Sequence, residues 1–71
     1  MNAYQAKEFI YAYGMIIATL VEVEAMRAEN MQRQHLGQSM AYTDKDFMDV
    51  LERNGVHHNG LVEMGRRIIE Y

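Results

Sequence analysis

The sequence predicts an all-α fold, and three observations carry that prediction. There is no proline in the 71 residues, so no ring interrupts a helix. Apolar residues recur at spacings of three, four and seven rather than two. Glycines stand where helices should stop, at Gly37 and Gly55. The expected architecture is a long N-terminal helix over about residues 3–36, followed by two short helices over about 44–54 and 60–70. Together they form one domain and a hairpin-like helical unit that oligomerises.

The first helix starts at Ala3 with Asn2 as its N-cap. Only Gly14 interrupts it before Gly37, and Phe9 to Val21 carries no charge. Phe9, Tyr13, Ile16, Ile17, Leu20 and Met31 line up as an apolar stripe, while Ile10, Met15, Val21 and Val23 lie off it. A helix apolar over more than half its circumference needs cover on more than one side, and the remaining chain is short. A second copy is the expected cover, with Phe9, Tyr13, Ile16, Ile17 and Leu20 at the interface. A membrane span is the competing reading. Spanning takes about 20 apolar residues, and the charge-free run is shorter than that. Lys7 is countered at once by Glu8, which is not the basic start of a signal peptide. The expectation is a cytoplasmic protein without a membrane partner, and the absence of cysteine agrees with it.

From Glu22 the helix becomes a charge-laced arm with Glu24, Arg27, Glu29 and Arg33. Gly37 takes the left-handed position just past its end. Thr43 caps the second helix, with Asp44 and Asp46 in the first turn against the helix dipole. Phe47, Val50 and Leu51 face inward. Gly55 stops this helix, and Val56 falls where a Schellman motif contacts Leu51. Asn59 is the candidate cap of the third helix, whose stripe is Leu61, Met64 and Ile68. Gly65 weakens that helix by about 1 kcal/mol relative to alanine, and a close helix crossing is the expected compensation.

Composition narrows the function classes. Seven Lys and Arg against ten Asp and Glu give a net charge of -3, which disfavours phosphate backbones. Zero cysteines exclude disulfides and thiolate metal sites. His57 and His58 are adjacent and cannot face one way on a helix, and His35 is distant, so no metal or other cofactor is expected. No glycine-rich phosphate loop is present, and Ser39, His35 and Asp44 show no more than proximity in sequence. The expectation is a protein that is not an enzyme.

The segment Ala28-Glu29-Asn30, Arg33, Gly37, Ser39, Ala41-Tyr42 and Phe47 resembles small helical bacteriophage proteins of the counter-defence or host-takeover type, over Arg27 to Phe47. The resemblance implies a stoichiometric binder in the host cytoplasm that neutralises a defence component, either a nucleotide immune signal or a defence protein. The residues themselves suit a nucleotide. Arg33 pairs with a phosphate, Tyr42 stacks on a base, Asn30, Gln34 and Ser39 read polar edges, and Gly37 permits close backbone approach. The plainer reading is that Asn30 and Arg33 anchor the turn. Two alternatives remain. One is a small helix-turn-helix-like regulator that contacts DNA through His57, Asn59, Arg66 and Arg67, although Leu51 and Asn54 fit that motif poorly. The other is a structural module whose long helix exists to oligomerise.

Overall fold

In the computed structural model, which describes residues 1–70, the chain is all helical: α1 spans Ala3–His35, α2 Asp44–Arg53 and α3 His58–Glu70. α2 and α3 form one bent helix in two pieces that runs back antiparallel along α1. Both pieces pack on α1. The expected order of one long helix and two short ones holds, and the helix ends fall within two residues of expectation.

Local chemistry sets most of these ends. The Gln5 N–H donates to Asn2 Oδ1 at 2.8 Å and the Asn2 N–H to Gln5 Oε1 at 3.0 Å, a reciprocal capping box. Asp46 accepts from the Thr43 N–H at 2.8 Å at the start of α2. Gly37 and Gly55 both have φ 72. Past each, the next N–H reaches back to a helix carbonyl, Gln38 to Arg33 and Val56 to Leu51, both at 2.8 Å, so α1 and α2 end in Schellman motifs. The start of α3 departs from expectation. His57, not Asn59, caps it, its Nδ1 accepting from the Gly60 N–H at 3.3 Å. The reason is that the bend after Gly55 brings the chain into helical conformation from His58, one residue before Asn59.

The glycine that permits close approach is Gly60. A Cβ there would lie 2.1 Å from the Gly55 carbonyl oxygen, whereas one on Gly65 would meet nothing within 4 Å. The tight crossing expected at Gly65 is therefore absent, and it is the bend that needs a missing side chain.

The interior is thin. Ala12, Thr19, Met26, Val50 and Met64 are its buried residues, with Phe47, Leu51 and Ile68 half-buried. Ala12, Thr19 and Met26 are seven apart, and half-buried Gln5, Glu8, Met15 and Glu22 share their line. This line, and not the Phe9 stripe, is the side of α1 that meets α2 and α3. The plate measures 53 × 19 × 11 Å between Cα positions.

Polar pairs join the layers along their length. Gln5 Nε2 donates to the Ile68 carbonyl at 2.8 Å at one end. At the bend, Asn54 Nδ2 donates to Thr19 Oγ1 at 2.9 Å, and Thr19 in turn donates to the Met15 carbonyl at 2.7 Å. Arg53 pairs with Glu22 beside them, and Arg67 Nε stands 3.9 Å from Glu8.

Candidate functional site

The far end of α1 is shaped by one amide. Asn30 Oδ1 accepts from the N–H groups of Ala41 and Tyr42, both at 2.9 Å, and its Nδ2 donates to the Tyr42 carbonyl at 2.8 Å. The side chain thus pairs with the connection as a neighbouring strand would, and holds it against the helix. Its polar capacity is largely used there, as the plainer sequence reading has it.

Beside this clamp lies an open groove of about 580 Å³, lined by Arg27, Asn30, Met31, Gln34, Gly37, Gln38 and Met40. The volume is within the range of small-molecule sites. Three of the residues expected in a ligand pocket line it: Asn30, Gln34 and Gly37. The other three do not. Arg33 Nε pairs with Glu29 at 3.0 Å, Ser39 lines neither groove, and Tyr42 belongs to a second groove of about 550 Å³ between α1 and α2. That second groove carries Glu22, Glu29, Asp46 and Asp49 against Arg53, an acidic setting unsuited to a phosphate. Of the expected six, three line the first groove, Tyr42 lines the second, and Arg33 and Ser39 line neither. Arg27, Met31, Gln38 and Met40 are the groove residues that sequence reading missed. Arg27, Met31 and Gln34 have the three-to-seven spacing from one another that places residues on one helical face, and that spacing is the signal that would have found them.

The apolar stripe of α1 is the larger feature. Phe9 is 51% exposed and Leu20 60%, with Tyr13, Ile16 and Ile17 also exposed. The rings of Phe9 and Tyr13 stack with centroids 6.3 Å apart and planes 13° apart. Neighbouring Ile10 and Val21 are exposed as well. α2 and α3 leave this side of α1 open because they pack on its smaller residues, Ala12 and Thr19.

Three of the four residues named for DNA contact are engaged elsewhere. His57 caps α3, Arg66 Nη1 is 3.1 Å from Glu63, and Arg67 faces Glu8. Asn59 is exposed in the first turn of α3. A helix-turn-helix needs its two helices packed across each other, whereas α2 and α3 follow one another as the two pieces of one bent helix along α1. Asn54, the residue out of place for that motif, is instead the one that bonds Thr19. No group of three or more His, Asp or Glu able to hold a metal occurs among the described residues.

No known family, curated protein or solved structure matches the chain.

Proposed function

We propose that this protein is a non-enzymatic binding protein that works as a homo-oligomer, occupying its target stoichiometrically. The observation that carries the reading is the uncovered stripe Phe9, Tyr13, Ile16, Ile17 and Leu20, exposed along more than two turns of α1. Large contiguous apolar patches on a folded chain mark interaction surfaces. A domain this small also gains stability from association that its own thin interior does not supply. The resemblance of Arg27 to Phe47 to phage counter-defence proteins fits such a role, with a host defence protein as the target and the host cytoplasm as its place of action. The test is light scattering on the purified protein, followed by capture from host lysate with wild type and with Ile17→Asp. Capture by wild type that Ile17→Asp abolishes supports the reading. A monomer that captures nothing opposes it.

A second reading, binding of a nucleotide-type small molecule, is favoured by the groove beside Asn30. Its one cationic lining residue is Arg27, which pairs with Glu24 at 3.2 Å on the exposed surface. Such a pair is weak and yields to a phosphate. Thermal unfolding with linear and cyclic nucleotides tests it. A ligand at one hundred times its Kd stabilises the fold by about 2.7 kcal/mol, and Arg27→Ala should remove the shift.

A further inference from the structure

The apolar surface is not confined to α1. An α-helix is right-handed with about 3.6 residues per turn, which fixes the residues that share a side of the plate. Phe9, Ile16 and Leu20 lie about a quarter turn from the inner line Ala12, Thr19 and Met26. α3 runs antiparallel to α1. Turned from the Met64–Ile68 line towards that same side, by about 40° for Leu61 and about 120–140° for Ile69 and Val62, it carries three further apolar residues. α2 likewise presents Met48 and Leu51. Met48 is 59% exposed and Ile69 79%, and Leu61 and Val62 are exposed too. The opposite side is polar. It holds the pairs Glu22–Arg53 and Glu8–Arg67 and the acidic groove.

We propose that a second copy of this chain packs face to face on this composite surface, so that α2 and α3 share the interface with α1 and the two plates close into a four-helix bundle. The inference rests on the self-association reading and specifies the surface that carries it.

The areas fit a second copy. A compact chain of 8.3 kDa exposes about 4,600 Å², and this one exposes 5543 Å². The excess, roughly 900 Å², is close to the ~800 Å² that each partner contributes to a standard interface. The radius of gyration, 15.9 Å, likewise exceeds the ~11 Å expected of a compact domain of this length. Stacking a second plate on the open side supplies the missing thickness.

A bilayer is the other apolar occupant. α1 is long and apolar enough to cross a membrane by length and composition, and 11% of its most apolar window is buried. Insertion of α1, however, would break its bonds from Gln5 to Ile68 and from Thr19 to Asn54, and would carry Glu22 away from Arg53. It would also leave the apolar residues of α2 and α3 uncovered. A second copy covers all three helices and keeps every one of these bonds.

The test uses the full chain in sedimentation experiments over a range of concentration, with helicity checked by circular dichroism. Met48→Asp and Ile69→Asp alter exposed residues of α2 and α3, so the plate itself stays folded. Each should weaken self-association roughly tenfold or more, the size of one large apolar side chain's burial. Tyr11→Asp, on the polar side, should not. If Phe9→Asp and Leu20→Asp dissociate the assembly while Met48→Asp and Ile69→Asp leave it intact, the composite face is overturned and association through α1 alone stands. A wild-type monomer at all concentrations overturns both, and so does a monomer that partitions onto phosphatidylcholine vesicles.

Discussion

Asn54 donates a hydrogen bond at 2.9 Å to the hydroxyl of Thr19, which is 3% exposed. The bend between α2 and α3 is thereby fastened to the middle of α1. Thr19 is the buried polar residue of the interior, and both its donor and its acceptor capacity are used. Asn54→Ala should therefore cost about 1–3 kcal/mol, because a buried hydroxyl loses its donor. The expected drop in Tm is at least several degrees for so small a domain. Thermal unfolding checks it, and an unchanged Tm would show that the bend is held by packing alone.

The Asn30 clamp makes a second prediction. Asn30→Ala removes three hydrogen bonds to Ala41 and Tyr42, and should cost about 2–3 kcal/mol at the usual net value of such bonds. Asn30→Asp keeps the acceptor and loses the donor to the Tyr42 carbonyl, so it should be the milder change. Urea denaturation orders the two variants. Amide exchange should rise at Ala41 and Tyr42 in Asn30→Ala, where these N–H groups lose their partner.

Much of this was legible in the sequence, and the exceptions have a common cause. Asn2, Gly37, Thr43 and Gly55 are signals that act on their own neighbours, and each sets a helix end as expected. The inner face of α1 is a matter of packing between distant segments. The apolar stripe Phe9 to Leu20 pointed to an interface between copies and left the inner face of α1 unassigned; the small side chains of Ala12 and Thr19 are what let α2 and α3 approach there. Asn54 looked misplaced for the same reason, since its partner Thr19 is far away in sequence. In the groove, Asn30, Gln34 and Gly37 were visible because they flank the turn. Arg33 turns along α1 to pair with Glu29, and Tyr42, held in the connection by Asn30, lines the other groove.

The glycines give a contrast of sign. Gly60→Ala places a methyl 2.1 Å from the Gly55 carbonyl oxygen, where backbone must move, so the bend should open and stability should fall by more than 1 kcal/mol, the upper range of a simple glycine effect. Gly14→Ala meets nothing within 4 Å and should raise stability by about 0.5–1 kcal/mol through helix propensity. The pair is read by Tm in one experiment. A loss at Gly14 would place a neighbouring helix against that position.

The ion pairs that join the layers are partly exposed, with Arg53 and Glu22 side chains 61% and 37% accessible. Such pairs contribute at most about 1 kcal/mol. Arg53→Ala should cost no more than that, and the loss should shrink in 1 M salt, where the screening length is about 3 Å. A loss much larger, or independent of salt, would mean that the Arg53 side chain acts through packing.

Sedimentation equilibrium of the wild-type chain decides whether the protein associates with itself. Self-association through the apolar face predicts a mass of at least two chains, about twice 8.3 kDa, falling to one chain in Leu20→Asp with helicity retained. A wild-type mass of 8.3 kDa at every concentration would contradict it.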